Sequence, residues 1–491
     1  MCRPCNLKVR PRPCVTLGVL ETLSTPLRVT KRTAEREQAA LLRGKYRVII
    51  TILRMDTAVP SREAAQLRAV QWLASRFEKL CGQQLGAKWF QHFEIWLWSA
   101  RTDGEGAGLL LPPQQSCYDV TLGRKLMKAR ESPQRVASIC EQLGREIYSA
   151  NVRFSASTGS RNTVKFEEFE PSATASSEDS SRTKIRMTCC GVSVEVTKEH
   201  LTKLKDLYWK YCINAGTEHR PTERCFQKST YCLLARYHAL QGGHHKSGGF
   251  QAAIHERCFQ VMEEEWGCEA ECFASPLNST LDTYFSRFED TDAPFGSRGS
   301  FFQFRPTKGC FEANPPFDDG FIDRMMDHME SLLRLADDET QSSLMFIVII
   351  PAWKDRECWQ RLDASPWCSH TLTLPAREHG YYQGSQHLKK KTFKQSNSDS
   401  SIFFLQSMQC AKLSPVTTRQ TSKLKQAFRP SWGVREEEIT TAISKPDASR
   451  KRKRRRLHLI SVADVELLRE SKARRDSPEE GACYSPYYYT E

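Results

Sequence analysis

Apolar side chains recur at helical spacing along the amino-terminal half of the chain. Between Ser61 and Leu80 the apolar positions follow one face of a helix, namely Leu67, Val70, Leu73, Phe77 and Leu80. A cluster of aromatic residues follows, formed by Trp89, Phe90, Phe93, Trp96 and Trp98. Aromatic spacing of this kind is more typical of a core than of a ligand platform. These patterns predict a mainly helical unit over residues 40–150.

The pattern changes beyond this unit. Residues 171–181 are Ser-rich and acidic, and they predict an exposed loop. Alternating apolar and polar residues over 184–197 predict a short strand or hairpin. Helical periods return over 201–211 and 231–240.

From residue 268 onwards, short apolar runs alternate with a helical period, which is typical of a mostly parallel α/β sheet. The clearest strand covers 344–350, a continuous apolar run that ends at Pro351 and fits a strand buried on both faces. The other predicted strands cover 270–274, 309–313, 371–374 and 401–406, and the predicted helix covers 321–335.

We therefore predict four regions along the chain. They are a basic, flexible amino terminus over 1–40, a mainly helical domain over 41–215, an α/β domain over 216–425 and a disordered basic tail over 426–491.

Composition narrows the possible functions. The chain has 491 residues, a net charge of +14 and a pI of about 9.0, a balance that favours nucleic acid as a partner. No apolar run approaches the roughly 18 residues of a membrane span. The 19 cysteines are scattered, so we expect mostly reduced, buried thiols. Cys2 and Cys5 have half the spacing of a zinc site, but no second pair follows, and we predict no metal.

Residues 314–317, Asn-Pro-Pro-Phe, carry the clearest chemistry. They follow the predicted strand 309–313, and ligands of open α/β sheets gather at the carboxyl ends of strands. The Asn314 side-chain oxygen and the carbonyl of the Asn-Pro peptide can accept both hydrogens of an exocyclic amino group. The Phe317 ring can stack on the base that carries that group. A chance match to an ordinary strand terminator is the alternative.

Several ordered segments now resemble one family, the phosphorylated-CTD-interacting factor family. They are ECFASPLN over 271–278, DTD over 290–292, FGSRG over 295–299, FEANPPF over 311–317, FIVIIP over 346–351 and GSQH over 384–387. The resemblance is close over roughly 200–410 and looser over 40–150. It implies a class I, Rossmann-like methyltransferase domain with a mainly helical domain before it. It also implies S-adenosylmethionine as cofactor and N6 of the adenosine beside the 7-methylguanosine cap of polymerase II transcripts as the acceptor.

The same resemblance implies roles for individual residues. The catalytic group would be Asn314, Pro315, Pro316 and Phe317. The cofactor would lie on Phe273, Ala274, Ser275, Pro276, Leu277, Asn278 and Asp292. The RNA would contact Arg298, Glu378, Gln386, His387, Lys389 and Lys390, with the lysines giving salt-dependent affinity without sequence preference.

Two partner predictions remain. Typical animal members of the family begin with a WW domain that binds the phosphorylated polymerase tail, but no pair of tryptophans with WW spacing occurs near the start of this chain. Polymerase-tail binding is therefore not supported by the sequence. The uninterrupted basic run 450–456 predicts nuclear import or phosphate contact.

Other functions stay open at this point. The tetrapeptide alone fits a methyltransferase that acts on adenine in DNA or at an internal RNA site. A non-catalytic descendant that only binds RNA or a transcription partner is the remaining alternative.

Overall fold

The computed structural model describes residues 59–86, 89–99, 120–154, 163–169, 183–214, 222–241, 252–382, 384, 386–388 and 393–429. All of them fall within one compact unit of the chain. The predicted flexible amino terminus, the Ser-rich loop, the cysteines at positions 2 and 5 and the basic run 450–456 lie outside the described residues.

The first elements are helices, as the apolar period predicts. They are α1 (Val59–Leu85), α2 (Trp89–Ser99), α3 (Val120–Lys128) and α4 (Pro133–Arg153). Ser132 caps α4 by accepting a hydrogen bond from the Arg135 N–H, and Pro133 occupies the first turn, where its missing N–H costs nothing. Phe77 packs at 5.2 Å from Phe93 between ring centroids, and Phe93 and Trp96 are buried, which confirms the core role of these two members of the aromatic cluster.

A three-stranded antiparallel sheet and two helices complete this core. They are β1 (Lys165–Phe169), β2 (Lys184–Cys189), β3 (Val192–Thr197), α5 (Lys198–Asn214) and α6 (Glu223–Leu240). Strands β2 and β3 form the predicted hairpin. Helix α6 is buried along most of its length and packs on α1. The boundary at 215/216 stays a prediction, and the core places α6 with the amino-terminal helices.

The second sheet has five strands in the order β4-β5-β6-β10-β7. Their bounds are β4 (Cys268–Glu271), β5 (Gly309–Ala313), β6 (Leu344–Pro351), β7 (Cys368–Leu374) and β10 (Ser400–Gln406). Strands β4, β5 and β6 pair in parallel, whereas β10 runs antiparallel to both β6 and β7. Strands β4, β5, β6 and β7 therefore run in one direction and β10 runs in the other, so the sheet is mixed and the fold is α/β.

Helices cover both faces of this sheet. Phe346, Val348 and Ile350 of β6 face one core, whereas its alternate residues face the other. The first core is covered by α9 (Asp319–Leu335) and α10 (Glu357–Asp363), and the second by α7 (Glu256–Trp266), α11 (Met408–Leu413) and α12 (Thr418–Ala427). The short helix α8 (Glu289–Asp292) lies in the connection between β4 and β5. The structure thus has three layers, helix on sheet on helix.

A small hairpin stands beside the carboxyl ends of the parallel strands. It is formed by β8 (Gly380–Tyr382) and β9 (Phe393–Gln395). Ala253 bridges to Tyr382 through two backbone hydrogen bonds of 3.1 and 2.8 Å. The hairpin therefore pairs with the segment before α7 at the edge where the parallel strands end.

No helix among the described residues is long and apolar enough to cross a membrane. The cysteines in the cores are free thiols and most of them are buried.

Candidate active site

Asn314 follows the last residue of β5, at the edge where the parallel strands end. Its side-chain Nδ2 donates a hydrogen bond of 3.4 Å to the carbonyl oxygen of Ala252. Its Oδ1 is buried and has no hydrogen-bond partner among the described residues. Since buried polar atoms are normally paired, this acceptor has unused hydrogen-bonding capacity at the edge of the sheet.

Phe317 lies at the end of the same turn, on the side of the first sheet core. Its ring meets the Trp353 ring edge to face at 6.2 Å, and Trp353 follows the last residues of β6. The Arg356 guanidinium lies 3.8 Å from the Trp353 ring centroid and donates a hydrogen bond of 2.8 Å to Asp319. These contacts hold the Phe317 ring on one side, and the ring is only partly buried.

The turn is continued by a well-capped helix. Asp318 accepts a hydrogen bond of 3.0 Å from the Phe321 N–H and caps α9. The Asp318 N–H in turn donates to the Pro316 carbonyl at 2.8 Å. The two prolines end the strand and the Asp318 cap begins the helix, so both restrict the backbone conformation of residues 314–317.

The loop over 273–278 leaves β4 beside this turn. The Cys272 N–H donates to the Glu312 carbonyl at 2.8 Å, so the loop starts next to the end of β5. Asn278 Oδ1 accepts from the N–H and the hydroxyl of Ser275, both at 2.8 Å, and closes the loop on itself. Phe273 lies 5.0 Å from Phe301 between ring centroids, the Ala274 N–H donates to the Phe285 carbonyl at 2.9 Å, and Pro276 and Leu277 are buried.

The structure gives the predicted acid Asp292 partners within the protein. It is fully buried, and it accepts a hydrogen bond of 2.6 Å from the Tyr237 hydroxyl and one of 2.8 Å from Thr291. Burial raises the pKa of Asp292 to about 6, although the hydrogen bonds favour its charged form and oppose this increase. Its role toward a cofactor stays a prediction, and its two oxygens are already engaged.

Neighbouring Asp290 belongs to a buried ion network. Arg236 donates two hydrogen bonds of 2.6 Å to Glu63, and it also binds Asp290 at 3.0 Å. Burial lowers the pKa of Arg236, but the two carboxylates outweigh this effect and the net shift is upward. This network ties α1 and α6 to the connection that follows the loop over 273–278.

The predicted RNA contacts fall into three settings. Arg298 is exposed, and Glu378 is an exposed partner of Arg429 at 3.0 Å. Gln386 and His387 are buried instead, and the His387 carbonyl accepts a hydrogen bond of 2.8 Å from the Thr197 N–H. Burial lowers the pKa of His387 to about 3, so its imidazole is neutral. Lys389 and Lys390 lie outside the described residues.

The fold thus brings the loop over 273–278, the turn over 314–317 and Trp353 to one edge. Sequence reasoning missed two contributors, the Ala252 carbonyl and the Trp353 ring. A tryptophan two residues beyond a predicted buried strand is a usable signal for Trp353. The Ala252 contact has no signal in the sequence because it is a backbone atom 62 positions away from Asn314. Within the described ranges, no group of three His, Cys, Asp or Glu side chains could hold a metal ion.

The structure is a layered α/β fold with an Asn-Pro-Pro-Phe turn at the carboxyl edge of its sheet. Residues 203–384 match the family model described as the phosphorylated CTD interacting factor 1 WW domain. The match begins in α5 and ends just after β8, so it contains the loop over 273–278, the turn over 314–317 and Trp353, whereas Gln386 and His387 lie beyond it.

Two curated relatives are also similar to this chain. The chain is 36% identical over 247 residues to the mRNA (2'-O-methyladenosine-N(6)-)-methyltransferase of Homo sapiens, and equally to that of Mus musculus. The alignments cover 49% of this chain and 34% of each relative. The chain therefore spans about a third of the length of the curated relatives it matches.

Proposed function

We propose that this protein transfers a methyl group from S-adenosylmethionine to N6 of the adenosine beside the 7-methylguanosine cap, usually 2′-O-methylated already. The observation that carries the proposal is the orientation of Asn314. Its Nδ2 is held by the Ala252 carbonyl, and its Oδ1 is left buried and unpaired at the edge of the sheet. The two relatives are named as methyltransferases that act on N6 of 2'-O-methyladenosine in mRNA, which supports the same nucleoside and the same position on it.

The chemistry of an exocyclic amino group explains why this orientation is useful. Its nitrogen is a poor nucleophile because the lone pair is delocalised into the ring. Asn314 Oδ1 accepts one hydrogen, and the carbonyl of the Asn314–Pro315 peptide accepts the other. Holding both hydrogens favours pyramidal nitrogen and directs its lone pair out of the ring plane, so positioning and electrostatics do the work and no strong base is needed.

Phe317 supplies the second part of the site. Its ring stacks on the adenine, and an aromatic side chain stacked on a base contributes about 1–3 kcal/mol. Trp353 supports the ring from behind at 6.2 Å between centroids. Pro316 limits the backbone freedom of the turn, so the ring and the Asn314 oxygen keep their relative positions.

The residues beside the turn fit S-adenosylmethionine, which supplies an activated methyl group on a sulfonium. The loop over 273–278 begins next to the end of β5, where the acceptor oxygen of Asn314 lies. The proposed site is thus a crevice outside the carboxyl ends of the strands, as is general for open α/β sheets. The strand order, with the reversed strand β10 between β6 and β7, supports the class I, Rossmann-like assignment.

Cellular context is part of the same proposal. We assign the protein to the nucleus because its proposed substrates are polymerase II transcripts and the sequence contains the basic run 450–456. We also propose binding of the phosphorylated polymerase tail, which the name of the matching family supports.

Methyl transfer to short RNAs tests the proposed function. Wild-type protein should methylate capped RNA that begins with adenosine at N6 of that nucleotide. Capped RNA that begins with guanosine and uncapped RNA that begins with adenosine should react poorly, and Asn314→Ala should be inactive on all three.

Each alternative predicts another outcome. Equal rates on capped and uncapped RNA, or product on duplex DNA, would favour a different adenine-N6 methyltransferase. A folded protein that shows no equilibrium binding of S-adenosylmethionine would favour a non-catalytic RNA-binding descendant.

A further inference from the structure

Glu312 is a buried carboxyl that the mechanism above does not use. It lies in β5, two residues before Asn314, and is 1% exposed. Its Oε1 has no hydrogen-bond partner among the described residues. Two buried oxygens without partners, Glu312 Oε1 and Asn314 Oδ1, thus occur two residues apart on one strand and at its end.

Strand geometry relates these two oxygens. Successive side chains of a strand point to opposite faces, so residues i and i+2 lie on the same face with their Cα atoms about 6.5 Å apart. Cys310, two residues before Glu312 on β5, packs in the core beneath α7. Glu312 therefore lies on the α7 side of the sheet. Ala252, which holds the Asn314 Nδ2, belongs to the segment that leads into α7 on that side.

Titratable groups surround Glu312 on each neighbouring element. Glu271 is its register partner on β4, and Glu271 Oε1 accepts hydrogen bonds of 2.6 Å from the N–H groups of Thr280 and Leu281. The remaining neighbours are thiols and a phenol, contributed by Cys268, Cys272, Cys258 of α7 and Tyr381 of β8. No cation occurs among these groups.

This environment favours the protonated form of Glu312. Burial is the main reason that the pKa of Glu312 lies well above its usual range, and the neighbouring Glu271 carboxyl raises it further. The two backbone N–H groups stabilise Glu271 in its ionised form, so the pair holds its negative charge on Glu271. A neutral carboxyl has one O–H donor, whereas a carboxylate has none.

We propose that Glu312 is a positioning residue for the reaction proposed above: its protonated carboxyl donates a hydrogen bond to Asn314 Oδ1 and fixes the direction of that amide. The amide is then held at both ends, by the Ala252 carbonyl at Nδ2 and by Glu312 at one lone pair of Oδ1. The second lone pair stays available for the substrate amino group. This inference rests on the proposed function only for its consequence in catalysis.

Ionisation of Glu312 would reverse this arrangement. A carboxylate repels Oδ1 and attracts Nδ2, so it favours the flipped amide, which presents N–H groups to a substrate group that is itself a donor. Activity should therefore fall as pH rises through the pKa of Glu312. A variant that always donates at this position should lack that alkaline decline.

Two substitutions and one control test the proposal. Glu312→Gln keeps the shape and a donor, and Glu312→Met keeps the volume without one. Glu269→Gln removes a charge from an exposed position of the neighbouring strand. The assay uses full-length protein and capped RNA. Glu312→Gln should keep kcat within about twofold of wild type and should lose the alkaline decline of activity, whereas Glu312→Met should lower kcat by about tenfold or more at every pH. Glu269→Gln should have the kcat and the pH profile of wild type.

Stability provides a readout that does not depend on activity. A carboxyl whose pKa is raised in the folded state binds more protons there than in the unfolded chain, so stability falls as pH rises between the two pKa values. Denaturant unfolding at several pH values should show this fall in wild type and in Glu269→Gln, and a weaker fall in Glu312→Gln.

The outcomes separate the two proposals. Equal pH dependence of stability in wild type and Glu312→Gln would overturn protonation of Glu312. Equal kcat and equal pH profiles in Glu312→Gln and Glu312→Met would overturn the positioning role. Wild type that is inactive on every RNA, with the expected stability profile, would overturn the proposed function and leave the protonation of Glu312 supported.

Discussion

Replacing Asn314 with alanine should separate activity from stability, because the atom that we assign to catalysis is a buried acceptor with a lone pair left for the substrate. The variant loses the positioned oxygen, and loss of one such polar group from a preorganised site typically lowers kcat by about 10²–10³-fold, or about 3–4 kcal/mol. Cofactor binding should stay near the wild-type value because Asn314 faces the amino group of the acceptor.

The expected change in stability follows from the same contacts. The variant loses the hydrogen bond to the Ala252 carbonyl, which is long at 3.4 Å and contributes about 0.5–1 kcal/mol. It also removes Oδ1, whose desolvation costs about 1–3 kcal/mol, together with the hydrogen bond proposed from Glu312, which contributes about 0.5–1.5 kcal/mol. These effects largely offset each other, so the free energy of unfolding should stay within about 1 kcal/mol of wild type.

Asn278→Ala is the matched comparison. Its Oδ1 accepts two hydrogen bonds of 2.8 Å from Ser275, so the substitution should lower the free energy of unfolding by about 1–2 kcal/mol. Chemical unfolding gives the stability of both variants, titration with S-adenosylmethionine gives cofactor affinity, and single-turnover methyl transfer gives the rate of the chemical step. Turnover of Asn314→Ala within tenfold of wild type, or destabilisation equal to that of Asn278→Ala, would refute the reasoning.

Gly296→Ala should lower the free energy of unfolding by about 1–3 kcal/mol or more. Gly296 has a φ of +102°, and an added Cβ would lie 2.2 Å from the Tyr211 ring. Thermal unfolding measures the change, and the control is Gly320→Ala, whose added Cβ would have its nearest contact at 3.6 Å. Asp292→Asn should weaken the fall in stability between about pH 4 and pH 6, since the raised pKa of Asp292 makes its burial less favourable as pH rises; an unchanged pH profile of urea unfolding would contradict this. Replacing the basic residues of 450–456 with Gly and Ser should move a fluorescent fusion toward the cytoplasm, and a variant that stays nuclear would exclude the import role.

Much of the sheet could be predicted from local patterns. The run 309–313 is the observed β5, and 344–350 is β6 without its last residue. The prediction of β6 succeeds because a strand buried on both faces is typically a continuous apolar run. The reversed direction of β10 could not be predicted, because its apolar run is the same in either direction. Only pairing with β6 and β7 sets its orientation.

The candidate site divides in the same way. The Asn-Pro-Pro-Phe turn and its place at a strand end follow from the sequence, because proline stops a strand locally and the chemistry of each side chain is intrinsic. The loop over 273–278 and the turn over 314–317 meet because parallel strands end at one edge, and this too follows once the sheet is predicted.

Tertiary structure alone decided which polar groups remain available. Asp292, whose role toward a cofactor stays a prediction, accepts a hydrogen bond of 2.6 Å from Tyr237, 55 residues earlier in the chain. His387, whose role toward RNA also stays a prediction, lies buried against the strand that ends at Thr197. Asn314 keeps an unpaired oxygen because Ala252 occupies only its amide nitrogen. Residue type determines what a group can bind, whereas burial and distant partners determine whether it is still free to bind a ligand, and both depend on the packing of segments far apart in the chain.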